Sequence, residues 1–450
     1  MLQFINCKNR EVVFNNGMNC VRTLAVAFLL AGFFAPMKVF SEPPLVLCHY
    51  MPWFRAEKTA TGATWEHWQW YGKGKKHDPD TILPNGRHDI ASIYYPVIGP
   101  YDQLDRAVLE YHVLSALASG IDGFVADWYG PGTRSDRVFA ELLTSAERYG
   151  MKVAICLEEK SFFPGYSQAR TRAEVMDVMQ AQIRHVLDTY APSDAYLRRE
   201  GQPVLFIFNG YGDSAVGPMN LSPEEMADVL GRFTDETVLL VRGYFSQAYT
   251  SAARGSYLWC DDAKTRAKFY GEAMPAREKG ELDFVVGVAS PGFDDSGVNG
   301  WGNGPRITSR RGTKEYEENW AEVLAHRPDA VQIATWNDFE EGTTIEPAEE
   351  YGFDFLTLTE KFAAQYCGVR ANLGDQDWPL RLYRLRLLVR GIGDEDVRAD
   401  WNGRLDRYAF LFSEGRRFAM GWWLKRLEAG ARTAAEKDAE SEKATEEGKP

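Results

Sequence analysis

Eight short apolar segments recur along this chain, and seven of them are followed closely by a segment with helical periodicity. Apolar runs of this length are typical of strands buried on both faces of a parallel sheet. Eight strands alternating with helices predict an α/β fold of the (β/α)8 TIM-barrel type, and a doubly wound sheet is the alternative. The predicted strands are residues 45–50, 121–129, 151–158, 203–208, 237–241, 257–260, 284–289 and 330–336.

The segments between these strands carry apolar residues at helical spacing, and several are closed by glycine. The first connection differs, because a polar and aromatic loop of residues 51–103 precedes its helix. A loop this long is usually functional. The predicted helices are residues 104–118, 134–149, 172–190, 223–233, 247–254, 263–279, 314–326 and 351–366.

The pattern changes beyond the barrel, which we predict to occupy residues 42–367. Residues 368–430 contain two basic and aromatic helical segments, 380–389 and 417–427, which we expect to pack on the barrel exterior. Residues 431–450 are charged and lack aromatic side chains. We therefore predict a C-terminal helical extension followed by a disordered tail.

The N-terminal 41 residues have the features of a signal peptide, with Met18 as an alternative start. The apolar stretch 24–35 has the length of a signal peptide rather than of a membrane span. We expect a secreted or periplasmic protein with no membrane contact after cleavage. An uncleaved N-terminal anchor is the alternative.

The formal net charge of −13 argues against nucleic acid or an anionic membrane as partner, because both attract basic proteins. Neither a GxxxxGK[ST] loop nor a GxGxxG segment after a strand is present, so we expect no nucleotide cofactor. We expect a monomer without cofactors. Cleavage of the signal would leave four cysteines without a CxxC pair; three lie in apolar runs and are interpreted as buried thiols, with a disulfide as the alternative.

In a TIM-barrel enzyme the active site lies at the C-terminal ends of the strands. Most predicted strands end in an aromatic residue, and five of the eight end in a carboxylate. A single such residue is more often a barrel cap or a helix cap, but the joint pattern favours a site. The predicted substrate-binding residues are His49, Tyr50, Trp53, His67, Trp68, Asp127, Trp128, Tyr129, Glu158, Asn209, Tyr244, Trp259, Asp294, Trp336 and Asn337.

The residue types at the strand ends favour carboxylate chemistry on an uncharged, hydroxyl-rich substrate. Among the seven histidines only His49 lies at a predicted strand end, so we predict no catalytic metal. A Schiff-base lysine and a serine nucleophile are poorly supported. Asp338 and Glu341 lie three residues apart on one loop, and both could reach a single glycosidic bond. A solvated acidic loop and a non-catalytic glycan-binding barrel are the alternatives.

The loop sequence WNDFEEGTTIEP at residues 336–347 is the most specific motif of the chain. With HYMPW at 49–53, DWY at 127–129 and PGFDD at 291–295, it resembles glycoside hydrolases of families 71 and 99. These families include fungal α-1,3-glucanases and endo-α-1,2-mannosidases. The resemblance implies a metal-independent glycosidase that cleaves α-mannan or α-glucan, with endo action expected.

Family 99 has Asn-Glu-Trp-His-Glu-Gly-Thr at this motif and family 71 has Trp-Asn-Asp-Tyr-Gly-Glu. Both place acids at the positions of Asp338 and Glu341. By resemblance, Asp338 deprotonates the sugar 2-hydroxyl and Glu341 is the general acid and then the general base. Glu340 matches neither acid and is predicted to be non-catalytic. Asp338 is one methylene shorter than its family 99 counterpart, and the two families leave retention and inversion both open.

Overall fold

The structure is a computed structural model that describes residues 43–59, 62–158, 171–208, 221–243, 252–369 and 374–447. Eight parallel strands form a closed barrel in chain order. The strands are β1 (Leu45–Tyr50), β2 (Gly123–Trp128), β3 (Lys152–Leu157), β4 (Gln202–Ile207), β5 (Val238–Arg242), β6 (Gly255–Tyr257), β7 (Phe284–Ala289) and β8 (Ala330–Ile333). Strand β8 pairs with β1, and β3 pairs with β4, so the ring is complete. This confirms the predicted TIM barrel and excludes an open doubly wound sheet.

Helices surround the barrel, and most of their predicted bounds agree with the structure to within three residues. They are α1 (Arg106–Ala118), α2 (Arg134–Tyr149), α3 (Arg172–Thr189), α4 (Pro223–Gly231), α5 (Ala263–Glu278), α6 (Lys314–His326) and α7 (Asp354–Cys367). The helix predicted at 247–254 lies mostly outside the described residues.

Successive side chains of each strand point to opposite faces of the sheet. One set, which includes Leu47, Val125 and Phe206, fills the barrel interior. The other set, which includes Cys48 and Phe124, packs against the helices. At the C-terminal strand ends this alternation decides which side chains reach the mouth of the barrel.

Two long connections build the walls of that mouth. The connection from β1 to α1 contains an antiparallel hairpin, Arg55–Thr59 with Gly62–Glu66. The connection from β7 to α6, here called the β7–α6 loop (residues 290–313), contains the pairing of Phe293–Asp294 with Ile307–Thr308. Two 3-10 turns, Ser296–Val298 and Gly300–Gly302, lie between those paired segments. A short strand, Arg198–Arg199, pairs with β4 outside the ring.

The C-terminal extension consists of helices α8 (Trp378–Arg390), α9 (Glu395–Ser413) and α10 (Met420–Glu447). Helix α8 is joined to α1 by a partly buried ion pair, in which the Arg386 guanidinium donates to both oxygens of Glu110 at 2.8 Å. The extension therefore contacts the outside of the barrel at α1.

The prediction of a disordered tail from residue 431 is wrong, because α10 continues to Glu447. Ala431 is fully buried, and the Asp438 carboxylate accepts hydrogen bonds from the backbone N–H groups of Gly393 and Asp394. The tail is rich in alanine, glutamate and lysine, which have high helix propensity, and it extends a helix already fixed by packing. The low hydrophobicity of residues 431–450 was therefore not sufficient to predict disorder.

The three cysteines interpreted as thiols, Cys48, Cys156 and Cys260, are free, and the first two are buried. Within the described residues, the helices are all too short or too polar to cross a membrane. The predicted signal peptide lies outside the described residues.

Candidate active site

The segment after β8, residues 334–346, forms a tight turn that holds two acids together; we call it the catalytic loop. The backbone N–H of Asp338 donates to Thr335 Oγ1 at 2.9 Å, and the N–H of Glu341 donates to Asp338 Oδ1 at 2.8 Å. Gly342 then takes a left-handed conformation, with φ of 60°. The chain therefore folds back on itself around Asp338, and both acids share one wall of the mouth.

Asp338 lies at the base of this site, with 1% of its surface exposed. Burial, followed by the neighbouring acids Glu341, Glu340 and Asp127, holds the pKa of its carboxyl well above the usual range. Like charges at close range disfavour ionisation of all members of a group. The site therefore retains at least one proton among its carboxyls above the usual carboxyl pKa.

Glu341 is held by two side chains from the β7–α6 loop. Trp301 Nε1 donates to Glu341 Oε1 at 3.0 Å, and Arg306 Nη2 donates to the same oxygen at 3.2 Å. Arg306 is in turn fixed by the fully buried Asp295, which accepts from its Nε at 2.7 Å. Burial raises the pKa of Glu341, and the Trp301 hydrogen bond and the Arg306 charge oppose that rise.

The third acid of the loop, Glu340, is 2% exposed and accepts a hydrogen bond from His67, with 2.7 Å between Oε2 and Nδ1. His67 stacks on Trp53, with ring centroids 4.7 Å apart and an interplanar angle of 17°. Trp53 also stacks on Tyr129 at 6.1 Å. Glu340 thus fixes one end of a flat aromatic wall beside the catalytic loop.

The floor of the mouth is polar. His49 Nε2 lies 2.5 Å from Asp127 Oδ1, and both side chains are buried. Burial lowers the pKa of His49 to about 4, so the imidazole is neutral at neutral pH, and burial raises the pKa of Asp127 well above its usual value. Glu158 hydrogen-bonds Asp127, and Trp259 contacts the His49 ring edge-on at 4.5 Å.

One group on this floor could hold a metal ion. The ligand atoms of His49, Asp127 and Cys156 lie within 4.8 Å of one another. Cys156 Sγ lies 3.6 Å from the Tyr257 hydroxyl, so the thiol already has a hydrogen-bond partner within the barrel. His49 and Asp127 already satisfy each other by their short hydrogen bond. These features fit a buried polar pair better than a vacant coordination site.

Four of the predicted substrate-binding aromatic residues do not reach the mouth. Tyr50 points to α1, where its hydroxyl meets His112 Nδ1 at 2.9 Å, and Trp128 donates to Asp136 of α2. Trp336 packs on Phe124 and His112, and Trp68 is buried against Phe54, Tyr101 and Phe339. Tyr50 and Trp128 each follow an inward-facing residue, so strand alternation turns them outward.

Two polar residues predicted to bind substrate, Asn337 and Asp294, also have hydrogen-bond partners within the protein. Asn337 is fully buried and binds the backbone of Met51, directly after β1. Its Oδ1 accepts from the Met51 N–H at 2.8 Å, and its Nδ2 donates to the Met51 carbonyl at 3.0 Å. The Asp294 carboxylate accepts the N–H of Ser296 at 3.0 Å, and its own N–H donates to the Glu341 carbonyl at 2.8 Å. Both residues therefore hold the backbone around the site in place. Asn209 and Tyr244 lie outside the described residues.

Arg310, which was not predicted as a site residue, stabilises the catalytic loop. Its Nη2 donates to the carbonyls of Gly342 and Thr344, both at 2.8 Å. The guanidinium lies over the rings of Tyr94, Tyr351 and Phe355, at 4.2 to 4.8 Å from their centroids. Trp301 and Arg306 were missed for the same reason, since a loop distant in sequence brings all three to the site.

Comparison with known proteins gives a consistent result. The sequence model of glycosyl hydrolase family 99 matches residues 45–222, which contain β1 to β4. A glycoprotein endo-α-1,2-mannosidase-like protein of Danio rerio is 28% identical over 298 residues, covering 59% of this chain and 62% of that protein. The glycoprotein endo-α-1,2-mannosidase of Rattus norvegicus is 25% identical over 292 residues, covering 59% and 60%. The chain is therefore similar to glycosyl hydrolase family 99 over β1 to β4. It spans about three fifths of the length of these two relatives.

Solved structures agree with the fold of this chain. Two structures of the endo-α-mannosidase from Bacteroides thetaiotaomicron match it with TM-scores of 0.56 and 0.55 at 19% identity. Each match covers 71% of this chain and 97% of the other. The roles of Asp338 and Glu341 rest on the motif and geometry of the catalytic loop, because both lie outside the matched range 45–222. The resemblance to family 71 stays a prediction.

Proposed function

We propose that this family 99-like protein is an endo-acting glycoside hydrolase that cleaves α-linked glycans. The observation that carries the proposal is the joined pair of acids on the catalytic loop, in which Asp338 Oδ1 accepts the backbone N–H of Glu341 at 2.8 Å. Both carboxyls have a raised pKa and lie among further acids. Glycoside cleavage needs one protonated and one ionised carboxyl, and neighbouring carboxyls with raised pKa values share protons rather than all ionising together.

The contacts of Glu341 suggest which of its oxygens carries the proton. Trp301 and Arg306 both donate to Oε1. A proton on Oε1 would compete with these two donors, so we place the proton on Oε2. From there it is transferred to the glycosidic oxygen as the bond from that oxygen to the anomeric carbon breaks.

Asp338 takes the second role. Its carboxylate accepts the proton of the 2-hydroxyl while the 2-oxygen bonds to the anomeric carbon, which gives the epoxide-like intermediate implied by the resemblance. Water then attacks the anomeric carbon, loses a proton to Glu341, and the 2-oxygen recovers its proton from Asp338. Both acids end the cycle in their starting states.

The substrate class follows from the walls of the mouth and from the relatives. The stacked rings of Trp53, His67 and Tyr129 offer apolar faces of the kind that pack on sugar rings. The names of both curated relatives favour an α-1,2-mannosidic bond. We therefore propose α-mannan ahead of α-glucan as the substrate.

We also propose that the protein is exported through cleavage of its first 41 residues, as the composition of residues 24–35 favours. Mass spectrometry of the N-terminal peptide from the extracellular or periplasmic fraction tests this. An intact N-terminus in a membrane fraction would indicate an anchor instead.

The test of the activity is a panel of α-mannans and α-glucans, with the anomer of the first product followed by NMR. We expect release of oligosaccharides from an α-mannan, with a single product anomer that reports retention or inversion. The same assay with a strong chelator separates a metal-dependent hydrolase, which would lose activity. Binding without any release of reducing ends would favour a non-catalytic glycan-binding barrel and overturn the proposal.

A further inference from the structure

The C-terminal extension carries a basic and aromatic surface that the proposed activity does not use. Residues 416–426, RRFAMGWWLKR, contain four basic residues and no acidic residue, in a chain whose formal net charge is −13. This segment joins α9 to the first turns of α10. Its composition is therefore opposite in charge to the molecule as a whole.

The segment is firmly attached on one side. Met420 and Leu424 are buried, and Trp423 packs on Tyr408 with ring centroids 5.4 Å apart. The Arg417 guanidinium pairs with the buried Asp375. The opposite face of the segment is thus presented to solvent by a fixed backbone.

That outer face is apolar at its centre and cationic around it. Phe418 is 99% exposed and Trp422, four residues later, is 62% exposed. Arg416, Lys425 and Arg426 are exposed beside them, with Glu414 as the nearest exposed acid in sequence. Exposed apolar surface rimmed by polar residues is a feature of interaction sites, whereas single exposed apolar side chains are common.

We propose that this face, defined as Arg416, Phe418, Trp422, Lys425 and Arg426, binds the surface of an anionic phospholipid bilayer. Aromatic side chains insert at the boundary between headgroups and acyl chains, and neighbouring lysine and arginine side chains attract acidic headgroups. The net negative charge of the rest of the molecule is screened beyond about 8 to 10 Å at physiological salt, so the local charge decides the contact.

The geometry of Trp422 favours lipid over a second glycan as the occupant. The Arg426 guanidinium lies over the indole, 4.8 Å from its centroid, and so occupies one of the two ring faces on which a sugar could stack. An arginine next to a tryptophan is instead the arrangement found at membrane interfaces, where the charge reaches the headgroups.

The test is flotation of the full chain with vesicles of phosphatidylcholine alone or with one quarter phosphatidylglycerol, at physiological salt. We expect binding to the anionic vesicles only. Phe418→Ser/Trp422→Ser should lower the partition coefficient by about tenfold or more, and Lys425→Glu/Arg426→Glu by a similar factor. Ile82→Ser, which removes another exposed apolar side chain (56% exposed), is the matched control and should bind as wild type.

Equal flotation of the Phe418→Ser/Trp422→Ser variant and wild type would overturn the proposal, as would the absence of binding by wild type. Light scattering tests whether a second copy of the chain, rather than a lipid bilayer, binds this face. A concentration-dependent dimer that is lost in the same variant would assign the face to a second copy of the chain, and this too would overturn the proposal. Activity of the variant on a soluble glycan checks that it is folded.

Discussion

The properties of Glu341 depend on single side chains of the β7–α6 loop. Trp301 and Arg306 stabilise the ionised form of its carboxyl by donating to Oε1, while burial favours the neutral form. The balance between these effects sets the pH above which a general acid loses its proton. Residue-scale changes at Trp301 should therefore move the pH profile rather than abolish activity.

Trp301→Phe removes one donor to Glu341 and keeps an aromatic ring. We expect the pKa of Glu341 to rise, so that the basic limb of the kcat/KM profile moves to higher pH. Trp70→Phe is the matched control, because its indole donates to the carbonyl of Lys73 and contacts Trp301 only edge-on. A basic limb that stays in place, or moves to lower pH, would contradict this account of Glu341.

Glu340→Gln keeps a hydrogen-bond acceptor for His67 and removes the charge. Because Glu340 supports the Trp53 and His67 wall rather than the reacting bond, we expect KM to rise a few-fold with kcat little changed. Steady-state kinetics on the cleaved glycan measure this. A loss in kcat as large as that of Glu341→Gln would mean that the catalytic proton resides on Glu340.

Asp338→Asn should stabilise the protein while it removes activity. The pKa of this carboxyl is higher in the folded than in the unfolded chain, so folding binds extra protons and stability falls as the pH rises above the usual carboxyl value of about 4. The asparagine does not ionise and escapes that loss. Thermal unfolding should give a higher midpoint than wild type at neutral pH, with a smaller difference near pH 4. A lower midpoint at neutral pH would show that the carboxylate stabilises the fold.

At the scale of elements, the catalytic loop has its shape because a glycine and an arginine support it. A Cβ on Gly342 would lie 2.6 Å from the carbonyl oxygen of Asp294, and the residue has φ of 60°. Arg310 holds the carbonyls on either side of Thr343. The loop therefore depends on the β7–α6 loop and cannot form from its own sequence alone.

Gly342→Ala should destabilise the protein by about 1–3 kcal/mol, the usual magnitude for strained backbone, and lower activity by displacing Glu341. Gly231→Ala in α4, where an added Cβ meets nothing within 4 Å, is the matched control and should be neutral or stabilising. Denaturant unfolding gives both values. Equal stability of the two variants would show that the loop adapts to a side chain at residue 342.

The elements also show what the sequence could predict. Alternation of apolar runs and helical segments was enough for the barrel, because eight strands with outer helices have few other solutions. Whether Tyr50 and Trp128 face the barrel interior or the helices depends on a shift of one residue along the strand. The apolar pattern of the sequence does not resolve such a shift. Arg306 and Arg310 reach the site through a loop whose path has no periodicity. The prediction of a disordered tail was wrong because the first part of helix α10 is fixed by packing and the helix continues from there.

At the scale of the whole molecule, the proposed glycan cleavage belongs to the barrel and the proposed bilayer binding belongs to the extension. The barrel gathers acids at its mouth, and the pairing of Arg386 with Glu110 fixes the extension to the outside of α1. Variants of Phe418 and Trp422 should therefore alter vesicle binding without altering the pKa values of Asp338 or Glu341. The proposed role of Glu341 as the general acid is independent of the surface on the extension.

The most direct test of that claim compares kcat/KM of wild type and Glu341→Gln on two substrates. One is the natural glycan, and the other has the same glycosyl part with a nitrophenol leaving group, which needs no protonation. We expect Glu341→Gln to lose about 10²–10⁴-fold on the glycan, the usual contribution of a general acid, and far less on the aryl glycoside. Asp338→Asn should lose activity on both. An equal loss by Glu341→Gln on both substrates, or near-normal activity on the glycan, would contradict the account.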